Sequence, residues 1–246
     1  MEEQKEDFLA CGLGNIAPWQ KGGSLPYCYI LKKFKNWKRC RPIVSCRENP
    51  ARVSLQVVAK GATLAIQLTD TIHHFDISST HQVAEEFATD YAGEGDYLAA
   101  GFDMYEMYTA LDHKNILEDA EYFLHILSQC CCEDRFYVEK GRKGKAHLGN
   151  PPSQAAYSAS FKDIIIALEY ELTHMIFRAG DKLLGQGLGA GMGGFMSPFG
   201  ARVTCIVREH RWQQIIGRAL HGPLRAVRHM QLYSVPLMHH FSNSSS

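Results

Sequence analysis

The sequence has no run of 18 or more apolar residues, so a membrane-spanning helix is not expected. None of its eight cysteines forms a Cys-x-x-Cys pair, and no positively charged start leads into an apolar signal core. Those two absences argue against a zinc ribbon and against a secreted disulfide framework, and they leave a reduced, intracellular protein as the expectation. Excess charge is missing too: 26 basic and 26 acidic residues balance, so the chain as a whole has no pull toward a polyanion. No Asp-Asp dipeptide occurs anywhere, and after Glu209 there is no acidic residue at all. What remains is ordinary globular material, 46% hydrophobic and 21% charged over 246 residues, enough for one large domain or a piece of a bigger protein.

The charge is balanced in total but not in place. From Lys32 to Arg52 there are eight basic residues and a single acid, Glu48, whereas from Glu85 to Asp134 there are thirteen acids and a single base, Lys114. The basic stretch interleaves Lys32, Lys33, Lys35, Lys38, Arg39 and Arg41 with Phe34 and Trp37, a pattern that suits phosphates and base stacking as well as a solvated face.

Periodicity supplies the helices. Arg52 to Leu68 is mostly apolar and reads as a buried helix. Ile116, Leu117, Ala120, Phe123, Leu124 and Leu127 form an amphipathic stripe, with Asp112 placed as its N-cap. Phe161, Ile164, Ile165, Leu168, Leu172, Met175 and Ile176 form another, which should stop near Gly180. Tyr97 to Met104 alternates as a half-buried strand does and turns the Asp103 carboxylate to its open face. Residues 1–30 read as an acidic start followed by a Gly/Pro linker, and Ser128 to Gln154 as a polar, breaker-rich connection. Adjacent His73 and His74 point different ways on any regular element, so a surface or packing role suits them better than metal ligation. Gly189, Gly191 and Gly194 spell a dinucleotide fingerprint, but a helix rather than the required strand reads as preceding them, and Ser197-Pro198 starts the next helix.

Three stretches together resemble a known family. Arg41-Pro42-Ile43-Val44-Ser45 is similar to the Arg-Pro-Ile strand of reverse-transcriptase fingers. Asp103 followed by Tyr108 and Thr109-Ala110-Leu111-Asp112-His113 resembles motif A. Gln186 to Pro198 resembles motif B through Gln186, Gly189, Met192, Gly193, Ser197 and Pro198, with Gly191 where proline is usual and Gly194-Phe195 where Ser-Pro is usual. The matches run in the family's order and span residues 38–210, and they look like the type carried by eukaryotic mobile elements.

The resemblance implies an α+β fold, a partial right-hand polymerase with fingers plus palm, a small sheet packed on helices, and no thumb. It divides the chain into an N-terminal linker (1–30), a fingers-like basic region (31–92), a palm-like region with motifs A and B (93–210) and a diverged or truncated tail (211–246). By the same resemblance Asp103 is the catalytic magnesium ligand, and Lys38, Arg39 and Arg41 contact the triphosphate of the dNTP. Tyr108 sits under the sugar, and Gln186, Gly189, Met192 and Gly193 line the nucleotide and template site, with an RNA template or RNA–DNA hybrid as partner. The family takes its remaining metal ligands from a Tyr-x-Asp-Asp motif that this sequence lacks. Two-metal phosphoryl transfer cannot run on one carboxylate, so the expectation is an inactive or incomplete polymerase. The alternatives are a nucleic-acid-binding or scaffold protein that keeps the palm fold and, less favoured, a dinucleotide enzyme.

Overall fold

The computed structural model describes residues 1–33, 36–69, 72, 81, 84–85, 107–141, 143–152 and 155–220. The expected strand over Tyr97–Met104, with Asp103, and the pair His73–His74 lie outside the described residues. The chain divides into two compact units, Met1–Ile72 with Glu106–Val207 and His73–Tyr105 with Arg208–Ser246. The described part of the first unit draws on residues from all of the first three expected regions and holds all seven described strands.

Its architecture is α+β. The helices are α1 (Glu2–Ala10), α2 (Arg52–Gln67), the single turn α3 (Met107–Ala110), α4 (His113–Cys130), α5 (Phe161–Thr173) and the opening of α6 (Ser197–Leu220). Local chemistry fixes the helix starts. Asp112 accepts from the amides of Lys114 at 2.9 Å and Asn115 at 3.2 Å to cap α4. Ser160 and Asp163 cap α5 reciprocally, the Ser160 amide donating to the Asp163 carboxylate at 2.7 Å and the Asp163 amide to the Ser160 hydroxyl at 3.4 Å. The stripes read from sequence face inward: Ile116, Phe123 and Leu127 of α4 meet Ile164 and Leu168 of α5 in one core with Leu55 and Val58 of α2. Each such side chain contributes roughly 1.5–3 kcal/mol by leaving water.

Two sheets flank these helices. The first has the order β2-β1-β6-β7, where β1 (Tyr27–Lys33) and β2 (Asn36–Ser45) form a hairpin. β6 (Ile176–Ala179) runs parallel to β1 at the Tyr27 and Arg178 pair, and β7 (Lys182–Gly185) returns antiparallel to β6. The second sheet is antiparallel, β4 (Ala146–Leu148), β3 (Arg135–Glu139) and β5 (Ala156–Ser160) in that order.

The structure corrects four readings of the sequence. Residues 1–30 are not merely a linker. Phe8 and Leu13 are fully buried, the Tyr170 hydroxyl donates to the Gln4 carbonyl at 2.9 Å, and His174 meets Asp7 at 2.9 Å, so α1 is tied to α5. Ser128 to Gln154 contains β3 and β4, because Phe136 and Val138 alternate into the core between charged neighbours. Helix α5 ends at Thr173 rather than near Gly180: the Thr173 hydroxyl turns back to the Glu169 carbonyl at 2.7 Å, and Met175 and Ile176 lie beyond it, Ile176 opening β6. A strand, β7, therefore precedes the glycine-rich loop, not a helix.

Candidate functional site

The glycine-rich loop from Gln186 to Phe195 bridges two distant parts of the chain. Its first half rests on the turn after α3. The Gly189 amide donates to the Leu111 carbonyl at 2.8 Å, the Ala190 amide to the Tyr108 carbonyl at 2.7 Å, and the His113 ring nitrogen lies 2.7 Å from the Gly189 carbonyl. Gly189 has φ +77°, and a Cβ there would run into the Tyr108 carbonyl, so both conformation and space require glycine.

The second half adds to the outer edge of β2, where the Val44 amide donates to the Met192 carbonyl at 2.8 Å. Gly193, at φ +115°, packs its α-carbon against the Val44 carbonyl with no room for a side chain. Beneath, Val44, Cys46 and Met175 form a small buried cluster against which Phe177 and Phe195 pack. Gln186 closes the start of the loop, its amide nitrogen donating to the Leu188 carbonyl at 3.1 Å.

The end of the loop is held by a residue that sequence reasoning missed. Glu171 of α5 is buried, and its carboxylate accepts from the amides of Phe195 at 2.7 Å, Met196 at 2.9 Å and Ser197 at 3.0 Å, and from the Ser197 hydroxyl at 3.1 Å. Ser197, which starts α6 as expected, donates both its amide and its hydroxyl to this borrowed cap. Only its burial could have been read from the sequence, since Glu171 stands three residues after Leu168 and one before Leu172, on the face that α5 buries. Burial pushes the Glu171 carboxyl up from 4.5 to about 7, against the pull of its four donors. The Cys46 thiol, buried beside it, is pushed up to about 12 by burial and then by the Glu171 charge.

The borrowed cap bears directly on the dinucleotide alternative. A strand now precedes the glycines, but it is the second strand of an antiparallel hairpin, not the first of a βαβ unit; the Gly189 and Ala190 amides are bonded to Leu111 and Tyr108, and the amides at the start of α6 to Glu171. The loop is therefore not a dinucleotide cradle.

Of the residues singled out by sequence, Gln186, Gly189, Met192, Gly193 and Tyr108 come together. Tyr108 is half-buried against the main core while its carbonyl holds the loop. Lys38, Arg39 and Arg41 are all exposed on β2. Arg41 pairs with Leu31 and alternates with Val44, so its side chain belongs to the sheet face opposite the one Val44 buries. Asp103 lies outside the described residues. Among the described residues no three His, Cys, Asp or Glu side chains gather as a metal site, and Glu171, the carboxylate that meets the loop, spends its oxygens on four donors. None of the eight cysteines is joined in a disulfide, and among the described residues no helix is long and apolar enough to cross a membrane. Compared with known proteins, the sequence matches no family model and no curated protein.

Proposed function

We propose that this chain is a fingers-and-palm domain of the reverse-transcriptase type that binds nucleic acid but does not polymerise on its own. One observation supports this reading: the described parts of the three segments that resemble the family, residues 107–113 of the second among them, meet in space. The Arg-Pro-Ile strand, the turn after the motif A tyrosine and the motif B loop are joined through Val44 to Met192, Gly189 to Leu111 and Ala190 to Tyr108. These are long reaches along the chain, with 76 residues separating even His113 from Gly189. In this reading the Gly189–Gly193 backbone lies against a base pair, Tyr108 bounds the sugar, and Lys38, Arg39 and Arg41 hold phosphates. Asp103 is the magnesium ligand, and the sequence lacks the Asp-Asp pair that would complete a two-metal site with it.

Primer extension with magnesium on an RNA template tests it, comparing the chain with an Asp103→Asn variant. The expected result is no synthesis above that control, and robust Asp103-dependent synthesis overturns the claim of inactivity. The alternative, a scaffold that keeps the fold and uses its basic strand for RNA, is favoured by the basic run on β2. It predicts RNA binding that survives Asp103→Asn and is lost when Lys38, Arg39 and Arg41 are replaced together.

A further inference from the structure

The first sheet has two unlike faces. Val44 and Phe177 belong to the one that is covered at their end by the cluster with Met175 and Phe195, whereas Ile30, farther along the same face, is 70% exposed. The other face carries Tyr27, Tyr29 and Leu31 in succession along β1, and these stand 53%, 44% and 51% exposed. Register extends the same face sideways: Tyr29 pairs with Ile43, Leu31 with Arg41, and Tyr27 with Arg178, which in turn pairs with Leu183. The rings of Tyr27 and Tyr29 lie side by side, their centroids 6.1 Å apart. Of the seven lysines and arginines on the four strands, alternation puts Arg39, Arg41 and Arg178 on this face, and no residue of the strands is acidic.

We propose that this outer sheet face is a platform for single-stranded nucleic acid, with Tyr27 and Tyr29 stacking on successive bases and Arg41 and Arg178 holding the flanking phosphates. The inference does not rest on the polymerase reading: it shares Arg41 with it, but Tyr27 and Tyr29 lie on the face opposite the one that buries Val44 beside the loop and would act in a chain that never polymerises. Charge selects a polyanion. Two neighbouring exposed rings select unstacked bases over a duplex, whose bases already face one another. An anionic membrane would satisfy the cations and the aliphatic rim of Leu31 and Leu183, and tyrosines suit its interface too, but only unstacked bases give two neighbouring rings a succession of partners.

Fluorescence anisotropy of the full chain with labelled oligo(dT), its duplex with oligo(dA), and phosphatidylglycerol/phosphatidylcholine vesicles decides the matter. Single strand should bind more tightly than duplex, and Tyr27→Ala with Tyr29→Ala should weaken it about tenfold or more. Tyr27→Phe with Tyr29→Phe should restore it, because the stacking ring remains; equal circular dichroism melts for the variants show that the fold is kept. Binding that ignores the tyrosines, duplex bound as tightly as single strand, vesicles bound in preference to either, or no binding to any of the three overturns the proposal. Primer extension is read separately, so failure of the platform and failure of the polymerase reading are distinguishable.

Discussion

Gly193 and Gly187 are neighbours in composition and opposites in constraint. At Gly193 a Cβ must adopt φ +115° and meet the Val44 carbonyl, whereas at Gly187 nothing lies within 4 Å of where it would stand. Gly193→Ala should therefore cost about 1–3 kcal/mol in urea denaturation, while Gly187→Ala stays within about 0.5 kcal/mol of the parent. Equal effects of the two would mean that the loop does not dock on β2. Glu171 makes a second test at this scale. Its folded carboxyl titrates at about 7 against 4.5 for the ordinary group, so the folded protein binds more protons than the unfolded chain between those values. Stability contributed by this group is thus complete below 4.5 and is lost as pH rises through 7. In denaturation series across that window the stability advantage of the parent over Glu171→Gln should shrink with rising pH. A difference that stays constant would show that the carboxylate is ionised throughout, held so by its four donors and the N-terminus of α6.

Among the elements, α2 and α4 declared themselves in the sequence because a helix repeats its buried face often enough to be counted. Asp112 could be named as a cap for the same reason: the physics of a helix start is local. Replacing it by alanine should lower stability by about 1 kcal/mol, read as a drop in melting temperature, and no drop would mean that the two amide bonds to Asp112 contribute nothing. Strand β3 hid because five residues give only two inward positions, Phe136 and Val138, amid charges that look like a loop. Helix α1 hid similarly, since it buries only Gln4 and Phe8. Glu171 hid for a different reason: the amides it caps lie 24 to 26 residues further on, and no local rule reaches that far. Packing between elements was equally invisible. Gly61 of α2 sits directly under the Phe136 ring, where a Cβ would collide with the ring edge. Gly61→Ala should cost about 1–3 kcal/mol by overpacking, despite alanine's better helix propensity, and a stabilised variant in thermal melts would show that the α2 and β3 contact is loose.

For the molecule as a whole, zero net charge conceals a sheet whose strands are entirely free of acids, and this arrangement determines how ionic strength must act. If phosphates bind along β2, each lysine or arginine engaged displaces condensed counterions, so affinity for single-stranded RNA falls with salt in proportion to the number of contacts. For single strands the slope of log affinity against log salt is about −0.7 per phosphate. Replacing Lys38, Arg39 and Arg41 with alanine should flatten that slope by up to about 2, the sum for three contacts. Replacing Tyr27 and Tyr29 should instead lower affinity by a nearly constant factor at every salt concentration, because stacking releases no ions. The two sets of variants therefore separate on one plot, one changing its slope and the other its height. If the tyrosine variants changed the slope and the basic variants the height, the division of labour between ring and cation on this sheet would be wrong, even with total affinity as expected.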